Sequence, residues 1–228
     1  MLNRLSAPTL LSSLVAAAAF MTVAVPAQAE EKCSSPDANG VSQCHAGLPV
    51  ESLPRLAVTQ EQPQWCWAAA ISMIFAHHGY HVAQQEIVKD GYGVAANFPA
   101  PSGQAMTNAM SKAWTDQHDK PFQARAWASD ALGSQHQVSN DRVIAELGAG
   151  RPLLIGAQNH AVVLVGLRFE RSARGNVRIL GGTVIDPQPG QGIRPLLHVE
   201  MKPTYVAAVQ VMPAEQKMAA LDSASSSR

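Results

Sequence analysis

An α+β fold is predicted, with a helix-rich first half facing a sheet-rich second half. Three observations carry that expectation. Residues 65–78, WCWAAAISMIFAHH, are apolar on nearly every side and end at Gly79, the pattern of a buried helix stopped by a glycine cap. Beyond residue 152 the apolar runs become short, rich in Val, Ile and Leu, and separated by turn residues, which reads as strands. The chain has 228 residues, 46% hydrophobic and 15% charged, enough to bury one core but not two.

The elements follow in order. Residues 1–29 read as a signal peptide: Arg4 precedes an apolar stretch over 10–25, and Pro26, Ala27, Gln28 and Ala29 supply a small-x-small site. Cleavage is expected after Ala29, and about 16 apolar residues fall short of the roughly 20 that span a bilayer. The protein is therefore expected to be exported, periplasmic or secreted, with no membrane attachment after cleavage. Residues 30–52 are turn-rich and read as an ordered arm. An oxidising compartment pairs thiols, so Cys33 and Cys44 in this arm are expected to form a disulfide, leaving Cys66 free in its apolar context.

The domain proper is expected over 53–212. It opens with an extended run at 53–58, followed by the buried helix, with Pro63 placed to open its first turn. Residues 91–139 carry little pattern, and a helix over 103–116 is the best reading. Residues 140–150 form a capped helix with Asp141 near its start and Gly148 and Gly150 at its end. Strands are expected over 152–157, 161–169, 177–180, 183–186 and 205–211. From residue 213 the small, polar, serine-rich sequence reads as a disordered tail.

Charge excludes several classes of partner. Lys+Arg and Asp+Glu both number 17, so no net field favours nucleic acid or an anionic surface. The protein is expected to be a monomer and to need no cofactor.

The chemistry-bearing residues have distinct contexts. Cys66 starts the buried helix, where unpaired N–H groups and the helix dipole favour a thiolate. Trp65 and Trp67 flank it as packing residues or as walls of a substrate site, and Asn159 is a further candidate substrate contact. An attacked carbonyl needs donors for its developing oxyanion. Gln60, six residues before Cys66, can supply one, with Gln62 and Gln64 as competitors. Among eight histidines, His160 stands out because it starts a strand after the polar pair Gln158 and Asn159. His77, His78 and His81 gather at a helix end, where they read as cations complementing the dipole rather than as metal ligands. His45, His118, His136 and His198 lie in polar stretches without further support.

A base needs a third group to orient it. If 161–169 and 177–186 form a hairpin about Ala173, His160 and Asp186 lie thirteen residues to either side and face one another across the strands. Asn176 is the formal rival but falls near the hairpin tip. Gly181 and Gly182 could host a bulge that moves the register by one.

These residues carry a resemblance. The segment QEQPQWCWAA, residues 60–69, resembles the active-site helix of papain-like cysteine peptidases, and RPLLIGAQNHAVVLVGL with VIDPQPG is similar to that superfamily's histidine strand and Asn/Asp segment. The similarity is to the compact bacterial branch of secreted effector peptidases and double-glycine peptidase domains. It implies a papain-like fold in which a helical half with the buried active-site helix packs on an antiparallel sheet. By the same implication Cys66 attacks a peptide carbonyl, His160 exchanges the proton, Asp186 orients His160, and Gln60 with the Cys66 N–H binds the oxyanion. The substrate would be a peptide or protein. A peptidase-like binding module without turnover is the alternative, and the absence of a C-x-x-C pair at Cys66 argues against redox exchange.

Overall fold

The computed structural model of the protein describes residues 30–130 and 138–214. The expected signal peptide and nearly all of the expected tail lie outside the described residues. Strand β1 (Glu30–Cys33) pairs antiparallel with β2 (Val41–Gly47), with Cys33 opposite Cys44 and the two joined by a disulfide. Residues 30–47 are not an arm, because β2 also pairs with β6 (His160–Ser172) and extends the main sheet. The two-residue period is present: Cys44 and Ala46 are buried while Gln43 and His45 face out. The polar outer residues concealed it.

Residues 53–58, expected to be extended, instead follow a 3-10 turn (Val50–Ser52) with a single helical turn, α1 (Leu53–Leu56). Pro54 sits in its first turn, where the missing N–H would have had no helical partner anyway. Helix α2 (Cys66–His77) starts at Cys66, buries Trp67, Ile71, Ile74 and Phe75 among others, and is followed by Gly79 at φ 84°. Helix α3 (Gln84–Tyr92) was not anticipated. It ends at Gly93, whose φ of 75° is the left-handed conformation of a glycine cap.

The helix expected over 103–116 is shorter. Helix α4 (Gly103–Ala109), capped by the Ser102 side chain accepting from the Ala105 N–H, gives way to a hairpin of β3 (Ala113–Thr115) and β4 (Pro121–Asp130). Asp116 forces the change by accepting backbone N–H groups of His118 and Lys120 at 2.8 and 2.9 Å, which folds the turn between the strands. Helix α5 (Asn140–Gly148) has Ser139 as its cap, accepting from the Arg142 N–H. Four further strands complete the chain: β5 (Leu153–Ala157), β7 (Val177–Asp186), β8 (Gly192–Pro195) and β9 (Tyr205–Pro213), with a 3-10 turn (His198–Met201) before the last.

Among the described residues nine strands join one sheet, ordered β1-β2-β6-β5-β9-β4-β3, with β7 on the other side of β6 and β8 beyond it. Strand β6 is long enough to pair with β5 through its first residues and with β2 through its last, while β7 runs along much of its opposite edge. Its faces are both covered. Val163 and Val165 meet the cluster built on α2, and Val162 and Leu164 meet the one that contains Ile144 and Leu147 of α5. This is the mixed α+β, papain-like arrangement that the resemblance implied.

Candidate active site

Cys66 is the first residue of α2 and is partly exposed, whereas the residues after it are buried. Trp65, the cap position, makes no side-chain capping bond. The first-turn N–H groups of α2 therefore point toward the same end as the thiol, with the positive end of the helix dipole behind them.

His160 is placed by a tight turn. Ala157 and His160 pair across β5 and β6, and the two residues between them, Gln158 and Asn159, both have positive φ, 50° and 63°. That is a type I′ hairpin. Asparagine suits the left-handed region, but glutamine there is strained, and the surrounding sheet holds it in place.

The β6–β7 register corrects the expected hairpin. The Ser172 N–H bonds Asn176, and Arg171 pairs with Val177, which centres the turn on Arg174 rather than Ala173. Two bulges follow, one skipping Leu180 on β7 and one skipping Val165 on β6, so their register shifts cancel. Val163 pairs with Ile185, which puts Asp186 level with Val162, two residues past His160. Because the offset is two, both side chains keep the same face, and a diagonal contact remains within reach. His160 Nε2 lies 2.8 Å from Asp186 Oδ1.

That contact leaves Nδ1 of the ring for Cys66. A hydrogen bond to the Cys66 side chain is the foremost cause raising His160 to about 9; burial opposes it, and the Asp186 carboxylate adds to the rise. Asp186 is buried, which pushes its carboxyl up, yet the Gln188 N–H, Arg194 and His160 together hold it below its ordinary range.

One partner of Asp186, and a second residue that binds that partner, were missed from the sequence. Arg194 on β8 donates through Nε and Nη2 to Asp186 Oδ2, at 2.9 and 2.7 Å. The same guanidinium donates to Glu200 at 2.9 and 2.5 Å, and Glu200 also accepts the Leu197 N–H at 2.7 Å. An arginine in a four-residue edge strand and a glutamate in a one-turn 3-10 segment carry no local pattern that distinguishes them from surface charges.

A cavity of about 530 Å³ opens beside Cys66 and His160, with Trp67, Met106, Asn159 and Tyr205 in its walls. Trp67 and Asn159 line this cavity. Trp65 does not: it is buried in the core, its indole N–H bonded to the Ala96 carbonyl at 2.9 Å. Gln60 lies in a second cavity of about 440 Å³, on which His160 also borders. Its Nε2 donates to the Gln62 and Pro63 carbonyls at 2.9 and 2.8 Å, and its Oε1 is buried with no partner. Gln64, its competitor, lines the Cys66 cavity instead.

The helix-end histidines also differ from expectation. His77 Nε2 meets the Gly150 carbonyl at 2.6 Å, and His78 Nε2 is buried without a partner. Burial lowers both, His78 to about 4, so they do not serve as dipole-complementing cations. Among the described residues the group with donor atoms close enough to share a metal is Glu31, Cys33 and Cys44, and its two sulfurs are already bonded to each other.

A cysteine at a buried helix start and a histidine on a facing strand, within an α+β fold, define a cysteine-peptidase-like protein of the papain-like class. The model of the Peptidase C39-like family matches residues 52–198, and the chain belongs to that family. Among solved structures it is similar to the peptidase domain of Streptococcus ComA, a bi-functional ABC transporter involved in a quorum sensing pathway. The identity there is 13%, over 69% of this chain and 97% of that one, with a TM-score of 0.40. No curated protein matches the chain.

Proposed function

We propose that this is an exported cysteine peptidase in which Cys66, His160 and Asp186 act as nucleophile, general base and orienting carboxylate. The observation that carries the reading is the 2.8 Å contact between Asp186 and His160 beside Cys66 at the start of α2, with His160 and Cys66 bordering one cavity. The Cys66 thiolate attacks a peptide carbonyl to give a tetrahedral oxyanion. The His160 imidazolium then protonates the leaving amine as the C–N bond breaks, leaving a thioester on Sγ. A water deprotonated by His160 hydrolyses the thioester and releases the acid. The substrates are peptides or proteins, consistent with the family. Export rests on residues 1–29 and on the Cys33–Cys44 disulfide, which an oxidising compartment favours.

One observation favours the alternative of a peptide-binding module without turnover. Both hydrogens of the Gln60 amide are engaged by backbone carbonyls, so an oxyanion donor at this position requires the side chain to let go of one.

The test is labelling with an irreversible thiol-directed peptidase inhibitor, read by intact mass for wild type, Cys66→Ser and His160→Ala. Rapid labelling at Cys66 that depends on His160 is expected. Slow labelling indifferent to His160 would leave the binding module.

A further inference from the structure

Asp186 cannot act on His160 unless its carboxylate keeps both its orientation and its charge. Orientation has a visible source. Oδ1 accepts from His160 and from the Gln188 N–H, while the Nε and Nη2 N–H groups of Arg194 converge on Oδ2, both charge-assisted bonds. The carboxylate is held on both edges, and rotation would break two bonds on either side.

Charge is less obvious. Arg194 is largely buried beside Asp186, with side-chain exposures of 12% and 4%. A lone buried guanidinium would cancel the Asp186 charge, and His160 would face a neutral pair. Glu200, only 6% exposed, removes that cancellation by binding another edge of the same guanidinium. Counted together, Asp186, Arg194 and Glu200 leave one negative charge, which a protonated His160 neutralises. Burial raises Glu200, yet Arg194 and the Leu197 N–H hold it below the ordinary range, so it stays ionised. The titratable or charged groups facing this chain are Cys66 from α2, His160 from β6, Asp186 from β7, Arg194 from β8 and Glu200 from the 3-10 turn.

We propose that Arg194 and Glu200 are positioning residues for the peptidase site, Arg194 fixing the Asp186 carboxylate and Glu200 offsetting the Arg194 charge so that His160 faces an uncancelled carboxylate. The inference rests on the reading of His160 and Asp186 given above. The family match ends at residue 198, so the carboxylate that completes the chain comes from outside the matched segment.

The experiment is an NMR titration of the His160 ring in the folded protein, with the resonance assigned by its loss in His160→Ala. Glu200→Gln keeps the shape and the Leu197 acceptor but removes the charge, and the His160 midpoint is expected to fall by about one pH unit. In Arg194→Met/Glu200→Gln both charges go and Asp186 alone faces the ring, so the midpoint is expected to return toward that of wild type. A merely structural role would lower the thermal midpoint of unfolding and leave the titration in place. A Glu200→Gln curve that overlays wild type overturns the proposal. So does a double variant whose midpoint stays low, and that outcome remains readable if the single variant does not fold. Because ring titration needs no turnover, a shifted midpoint alongside inhibitor labelling that ignores His160 would separate failure of the peptidase reading from failure of this one.

Discussion

Asp186 meets His160 diagonally, not squarely: Val163 pairs with Ile185, yet His160 Nε2 and Asp186 Oδ1 are 2.8 Å apart. The carboxylate accepts donors on both edges, His160 and the Gln188 N–H on one and Arg194 on the other. In Asp186→Asn one edge must present an NH₂ group to a donor. Inhibitor labelling of Cys66 should slow about 10²-fold or more, with a lower thermal midpoint, because the amide satisfies either the histidine or the arginine but not both. Second-order labelling rates and a melting curve check this.

Two histidines give opposite pH signatures. His160 is raised to about 9 in the folded protein against about 6.5 unfolded, so its contribution to stability is complete below about pH 6.5 and is lost as pH rises through about 9. His78 is lowered to about 4, so its contribution is complete above about pH 6.5 and is lost as pH falls through about 4. Melting temperatures of wild type, His160→Gln and His78→Phe across this range should show a shallower alkaline decline in the first variant and a shallower acid decline in the second.

The Cys33–Cys44 disulfide closes a short loop, with a sequence separation of 11, and ties β1 to β2, the strand that pairs with the far half of β6. Replacing both cysteines with serine should cost about 3 kcal/mol at most by the loop-entropy relation. Since the bridge lies at the opposite end of β6 from His160, Cys66 labelling at 25 °C should be nearly unchanged. Denaturant unfolding and the labelling rate together test the separation.

Gln60 and Gln64 divide by reaction type. If Gln60 releases a carbonyl to bind the oxyanion, Gln60→Ala should lower peptide hydrolysis about 10²-fold while leaving simple alkylation of Cys66, which forms no oxyanion, unaffected. Gln64 lies in the Cys66 cavity. A larger hydrolysis loss in Gln64→Ala than in Gln60→Ala would transfer the donor role to it.

What was readable in advance follows from how local each signal is. Helix α2 is set by a dense apolar run with a glycine after it, and α5 by Asp141 and the terminal glycines, so both were recognisable from neighbouring residues, whereas the Ser139 cap was not singled out. The hairpin that unites His160 and Asp186 was recognisable in outline because one strand runs on each side of a polar turn. Its centre and two compensating bulges were not, since Leu180 and Val165 look like ordinary strand residues. Strands β3, β4 and β8 were missed because their side chains alternate weakly or sit at an edge. Strands β1 and β2 looked like an arm because β6, the strand through which β2 joins them to the sheet, lies more than a hundred residues away. Trp65 is the clearest case of a side chain whose direction the sequence leaves open: two positions before Trp67 at the helix start, it is buried without lining the Cys66 cavity that Trp67 borders.

Strand β6 has neighbours on both edges, β7 on one and β5 followed by β2 on the other, and a hydrophobic cluster on each face. Its amides cannot meet solvent by fraying, as those of β3 or β8 can. Deuterium should therefore enter the centre of β6 only when the whole domain opens, making it the slowest-exchanging segment of the chain. His160 begins that strand, so the imidazole that must move a proton quickly is mounted on backbone that rarely moves at all.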